Sequence, residues 1–112
     1  MLWLKILDKY LLTKEKTISK KINIDNSLYE KLEEIANIKY DASINKIVNV
    51  AILELIKTEN INIYVKKENE ISEPHSFLIR ESSYIKLEKL REKYGISICR
   101  LVNIAINNAL TS

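Results

Sequence analysis

The stretch Ile24 to Ile56, IDNSLYEKLEEIANIKYDASINKIVNVAILELI, is written a second time as Ile79 to Leu110, IRESSYIKLEKLREKYGISICRLVNIAINNAL. With one residue dropped in the middle, Ser27, Tyr29, Lys31, Leu32 and Glu33 fall on Ser82, Tyr84, Lys86, Leu87 and Glu88. Further along, Ser43, Ile44, Val48, Asn49, Ala51 and Ile52 fall on Ser97, Ile98, Val102, Asn103, Ala105 and Ile106. A repeat of this length is one supersecondary unit used twice, which excludes most single-unit folds of the same size.

Each copy has the same internal order. Thr17 to Asp25 alternate, with Ile18, Ile22 and Ile24 suited to a buried face and Lys21 and Asn23 to an open one. Asp25 or Asn26 is placed to cap a helix whose apolar stripe is Leu28, Leu32, Ile35 and Ala36. Tyr40-Asp41-Ala42 reads as a turn. Ser43 then caps a second helix with the stripe Ile44, Ile47, Val48, Ala51, Ile52, Leu55 and Ile56. In the second copy, Ser76 to Ile79 predicts a short strand with Phe77 and Ile79 inward. Leu87, Leu90 and Tyr94 predict the inner side of the next helix. Gly95 suits a left-handed helix end, and Ser97 caps a last helix carrying Ile98, Leu101, Val102, Ala105, Ile106, Ala109 and Leu110. The connector between the copies contains Ile61, Ile63 and Val65 at strand spacing and then a polar run to Pro74. The expected organisation is an amphipathic arm over 1–16, repeat one over 17–57, a connector over 58–74 and repeat two over 75–112.

One Gly and one Pro in 112 residues, with 46% hydrophobic residues, argue for an ordered and mainly helical chain. The net charge of +3 is mild, but residues 1 to 24 hold Lys5, Lys9, Lys14, Lys16, Lys20 and Lys21 against Asp8 and Glu15. The basic excess therefore precedes and enters the first strand, where a polyanion would feel it. A solvated lysine-rich arm carries the same charge pattern. The single Cys99 excludes an internal disulfide and a Cys-based zinc site. No apolar run has the length of a membrane span, and the start MLWLKILDKYLL lacks the layout of a signal peptide, so an intracellular, cytoplasmic protein is expected. Leu4, Leu7 and Leu11, with Trp3 nearby, make one apolar face of the arm, suited to capping the core, to chain-to-chain contact or to a membrane surface.

KKINIDNSLYEKLEEIA with SINKIVNVAILELI, and FLIRESSYIKLEKLREKYGISICRLVNIAI, resemble the ribbon-helix-helix family of the MetJ/Arc/CopG type. The Tyr94-Gly95-Ile96-Ser97 turn is close to the family's Gly-x-Ser turn. The resemblance covers residues 19 to 57 and 75 to 111. It implies a mainly α fold with short β, a tandem ribbon-helix-helix in which two β-α-α repeats form one intramolecular pseudo-dimer around an antiparallel two-stranded ribbon. It further implies a ribbon that enters the major groove of double-stranded DNA, pairing Lys20–Asp25 with His75–Arg80. The family's outward reading positions map onto Lys21, Asn23, Ser76, Leu78 and Arg80. Asn23 suits adenine, Arg80 suits guanine, and Leu78 offers only an apolar surface for a thymine methyl. Asp25 would repel phosphate and reads better as a helix cap.

The second-helix starts carry a separate clue. First turns prefer acidic residues, yet both copies put a cation three residues after the cap, Lys46 after Ser43 and Arg100 after Ser97. A DNA phosphate at each end explains this. The expected backbone contacts are Lys20, Ser43, Asn45, Lys46, Ser97 and Arg100. Asn49 and Asn103 repeat in mid-helix and read as packing or helix–helix hydrogen bonds at the core edge. His75 reads as a turn or strand-edge residue and Cys99 as ordinary packing.

A DNA-binding transcriptional regulator, a repressor or autoregulator, is the function expected. Chains would associate into homo-oligomers on DNA through Trp3, Leu4, Leu7 and Leu11. A composition rich in Ile, Lys, Asn and Tyr fits an AT-rich mobile element or virus. The alternative is an antitoxin or relaxosome accessory module that binds a protein as well as DNA, although only Thr111 and Ser112 follow the last helix as a tail. No catalytic triad, metal cluster or Gly-rich phosphate loop is present, so neither an enzyme nor a cofactor nor a small-molecule ligand is expected.

Overall fold

The alternation in each copy becomes a strand, and the two strands pair. In chain order the elements are β1 (Thr17–Asp25), α1 (Asn26–Ile35), α2 (Ile44–Thr58), β2 (Ser72–Arg80), α3 (Glu81–Tyr94) and α4 (Ile98–Thr111). The structure is a computed structural model, and it describes residues 16–37 and 43–111. The arm with Trp3, Leu4, Leu7 and Leu11, and the Tyr40-Asp41-Ala42 turn, lie outside the described residues. The fold is mainly α with one short antiparallel sheet of two strands.

The register is informative. β1 and β2 run antiparallel from Thr17 opposite Arg80 to Asp25 opposite Ser72. Lys21 stands opposite Ser76, its own counterpart in the second copy, so the local two-fold passes through that pair. β2 begins earlier than expected, at Ser72 rather than Ser76, and takes in Pro74. Physical reason: Asn23, which faces Pro74, turns its carbonyl away from β2 toward Asn103. Asn23–Pro74 is thus a non-hydrogen-bonded pair, and the N–H that proline lacks has no ladder partner to lose.

Ile22, Ile24, Phe77 and Ile79 cover the inner face of the ribbon and pack on the helices. α2 and α4 cross the centre of that core. α2 is rich in β-branched residues, which are poor helix formers. Burial of Ile47, Val48, Val50, Ile52 and Leu55 overrides this, since each buried aliphatic side chain contributes about 1.5–3 kcal/mol. Ser43 and Ser97 cap α2 and α4 as expected, accepting from the amides of Lys46 and Arg100 at 3.2 Å each. Gly95 ends α3 at φ 66°, its N–H donating to the Arg91 carbonyl at 2.9 Å.

Two expectations about side chains need correction. Tyr94 is exposed rather than inward, and its hydroxyl donates to Glu59 at 2.7 Å beside Lys93 at 2.6 Å. Residues 61 to 65 form no strand: Tyr64 turns in, while Ile63 and Val65 face outward at 65% and 94% exposure. A backbone with no neighbouring strand has nothing to hold it in a ladder, and side-chain contacts of Tyr64 hold this segment instead.

Candidate nucleic-acid interface

The outer face of the ribbon carries Ser19, Lys21 and Asn23 from β1 and Pro74, Ser76 and Leu78 from β2, all exposed. Across the strands they stand as Ser19–Leu78, Lys21–Ser76 and Asn23–Pro74. Lys21, the only charge among the six, sits at the centre. Four of the five sequence-predicted reading residues therefore share one face: Lys21, Asn23, Ser76 and Leu78, the last 50% exposed. Ser19 and Pro74 belong to this face by strand parity, two residues before Lys21 and Ser76, and the sequence reading passed over them.

Arg80 does not belong to it. It is 8% exposed and is the N-cap residue of α3. Its counterpart Asp25, N-cap of α1, is 1% exposed. Strand parity places both outward, but the backbone leaves the pleat there, at φ −58°, ψ 132° for Arg80 and φ −60°, ψ 129° for Asp25, and swings both side chains inward. Nor does the Asp25 side chain cap its helix by hydrogen bonding. Its carboxylate accepts from the Tyr64 hydroxyl at 2.5 Å and the Ser72 hydroxyl at 2.6 Å, and lies 3.2 Å from the Lys66 ammonium. Burial would raise the Asp25 carboxyl, but these donors outweigh it and hold it below the ordinary carboxylate value. Burial first, and then the bond to Asp25, push the Tyr64 hydroxyl far above the ordinary phenol value.

The mid-helix asparagines hold the ribbon rather than another helix, which corrects the helix–helix reading. Asn49 Oδ1 accepts from the Arg80 amide at 3.0 Å, and its Nδ2 donates to the Leu78 carbonyl at 2.7 Å. Asn103 Oδ1 accepts from the Asp25 amide at 2.9 Å, and its Nδ2 donates to the Asn23 carbonyl at 2.9 Å. Each helix thus closes the open edge of the strand from the other copy. A two-stranded ribbon has two such edges, and unpaired backbone groups there are costly once buried.

The residues expected on phosphates divide. Ser43, Asn45 and Lys46 gather where α2 begins, beside the Leu78 end of the ribbon, and Asn45 Oδ1 accepts from the Leu78 amide at 3.1 Å. An open cleft of about 330 Å³ lies there, lined by residues including Ser43, Asn45, Ser76 and Tyr29. Lys20 lies with its ammonium 4.8 Å from the centre of the Tyr84 ring. His75, at the equivalent place on β2, stacks on Tyr29 at 3.7 Å, so it is a mid-strand residue packed on α1. Ser97 caps α4, but Arg100 is turned away into the connector. Its Nη2 donates to the Tyr64 carbonyl at 2.8 Å, and its guanidinium carbon sits 4.4 Å from the centre of the Tyr64 ring. That engagement could not be foreseen from the α4 sequence, because its partner is 36 residues away. Cys99 packs against the core.

Comparison with family models, with curated proteins and with solved structures gives no match. Among the described residues, no helix is long and apolar enough to cross a membrane. Among the same residues, no group of three or more His, Cys, Asp or Glu side chains is placed to hold a metal ion.

Proposed function

We propose that the two β-α-α units form a tandem ribbon-helix-helix and that the chain is a sequence-specific double-stranded DNA-binding transcriptional regulator, a repressor or autoregulator. The observation that carries this reading is the two-sided ribbon. One side is core, and the other presents Ser19, Lys21, Asn23, Ser76 and Leu78 as exposed side chains, with no helix over them among the described residues. Paired strands lie about 5 Å apart, so a ribbon with short side chains fits a major groove about 12 Å wide.

Lys21 at the pseudo-dyad and Asn23 beside it are the hydrogen-bonding readers. Asn23 pairs with the N6 and N7 edge of adenine, and Leu78 lies against a thymine methyl. Ser43 and Lys46 at the start of α2 hold a flanking phosphate, where free helix amides and a cation favour an anion. The outer residues of β1 and β2 differ, so one chain reads an asymmetric subsite. Base contacts specify and phosphate contacts position.

The test is selection of binding sites from a random duplex library, followed by titration of the selected site and a scrambled duplex at two salt concentrations. A selected site whose advantage survives higher salt supports a sequence reader. Equal affinity for both duplexes that collapses with salt means backbone-only binding. No binding to either overturns the reading.

A further inference from the structure

The two ends of the ribbon are equivalent by register but not by surroundings. At one end stand Ser19 and Leu78 with the start of α2 and Lys46; at the other stand Asn23 and Pro74 with the start of α4 and Arg100. Lys46 makes no side-chain hydrogen bond or ion pair among the described residues. Arg100 is half-buried and engaged by Tyr64 of the segment 59–71. One guanidinium nitrogen bonds the Tyr64 carbonyl, the guanidinium carbon sits 4.4 Å from the centre of the Tyr64 ring, and Nη1 is buried with no hydrogen-bond partner among the described residues.

That segment is fastened along its length. Asn108 Nδ2 donates to the Asn60 carbonyl at 2.8 Å, and Tyr64 donates to Asp25. Ser27 bonds Glu70, and the Asn26 amide donates to the Ile71 carbonyl at 2.9 Å. Residues 59–71 hold Glu59, Glu68 and Glu70 against Lys66 and Lys67, and Lys66 is itself turned to Asp25. Withdrawing Arg100 for a phosphate would break its hydrogen bond and its cation–ring contact with Tyr64, the residue whose hydroxyl holds the Asp25 carboxylate.

We infer that the 59–71 strap closes the α4 end to the nucleic-acid backbone, so that a single chain grips flanking phosphate only at the α2 end and lies on duplex DNA in one orientation. This rests on the DNA-binding reading proposed above. The strap, rather than the reading residues alone, makes the chain polar on its site. Arg100 is here a positioning residue that holds Tyr64, and Lys46 is the backbone contact.

The experiment uses the full chain and the shortest selected duplex that binds one copy. Phosphate ethylation interference is mapped on both strands, and the dependence of affinity on salt is measured for the wild type, Lys46→Ala and Arg100→Ala. Interference is expected on one flank only. Lys46→Ala is expected to lower the slope of log affinity against log salt by about one, as for one phosphate contact, and Arg100→Ala to leave it unchanged. Interference on both flanks of the wild-type footprint overturns the inference, whether or not the variants fold, while leaving the DNA reading intact. An equal fall in slope for the two variants overturns it as well. Failure to select any duplex removes both the inference and the reading beneath it.

Discussion

Asn49 and Asn103 do the same work for opposite strands. Asn49, on α2, bridges the Leu78 carbonyl and the Arg80 amide of β2, and Asn103, on α4, bridges the Asn23 carbonyl and the Asp25 amide of β1. Each side chain uses its carbonyl as acceptor and its amide as donor, so only Asn fits both roles at this reach. Replacing either by Ala leaves one amide and one carbonyl of the strand edge without a partner. Unmade buried hydrogen bonds cost about 1–3 kcal/mol each, so each Ala variant is expected to lose about 2–4 kcal/mol in denaturant unfolding. A small domain holds about 5–15 kcal/mol in all, so the double variant is expected to be largely unfolded. Asn49→Asp, which loses the donor and turns an anion to the Leu78 carbonyl, is expected to cost more than Asn49→Ala. Single variants as stable as wild type would show that these bonds do not hold the ribbon.

Gly95 tests the turn between α3 and α4. Its φ of 66° is left-handed, and a Cβ added there meets nothing within 4 Å. The only penalty for Gly95→Ala is therefore backbone strain, about 1–2 kcal/mol. Thermal unfolding is expected to shift down accordingly, with the proposed DNA binding unchanged at low temperature. A stability loss well beyond that range would mean that packing, not φ, is what requires glycine.

Much of the frame was legible because it rests on local periodicity. The inward pair of each strand (Ile22 and Ile24, Phe77 and Ile79), the caps Ser43 and Ser97, and the left-handed end at Gly95 all follow from spacing and residue type. What was not legible depends on contacts between distant segments. Parity alone puts Arg80 outward with Ser76 and Leu78, but the last residue before a helix leaves the pleat and breaks the alternation. Ile61, Ile63 and Val65 alternate like a strand, yet Tyr64 is pulled inward by Asp25 and Arg100, neither adjacent in sequence. The cation after each second-helix cap is the same signal in both copies, and the connector gives Lys46 and Arg100 different surroundings.

The DNA-reading role proposed for the outer face of the ribbon yields a graded prediction. Asn23→Ala is expected to weaken binding to the selected site by about 1–3 kcal/mol and to relax preference at one base position. Ser76→Ala, which removes one small hydroxyl, is expected to do much less. Arg80→Ala is expected to lower folding stability and leave the preferred sequence unaltered, since the residue is buried at the head of α3 and away from the face. Binding-site selection repeated with each variant checks this. An altered base preference for Arg80→Ala with an unaltered one for Asn23→Ala would reverse the assignment.

The Asp25 cluster predicts how stability depends on pH. Ser72, Tyr64 and Lys66 hold the folded carboxyl below its unfolded value near 3.8. A group lowered on folding contributes stability that is fully present above the unfolded value and is lost as pH falls through the folded one. The contribution of Asp25 is therefore constant through neutral pH and disappears below about pH 4. Asp25→Asn keeps the shape but removes the charge that Lys66 pairs with, so it is expected to be less stable than wild type at pH 7. It is also expected to lose less stability than wild type between pH 5 and pH 2.5, which would bring the two unfolding curves together in acid. Tyr64→Phe removes one donor to the same carboxylate and is expected to fall between them. Parallel pH profiles for wild type and Asp25→Asn would mean that this carboxylate titrates alike in the folded and unfolded chain, and the three-donor cluster would then carry no part of the acid sensitivity.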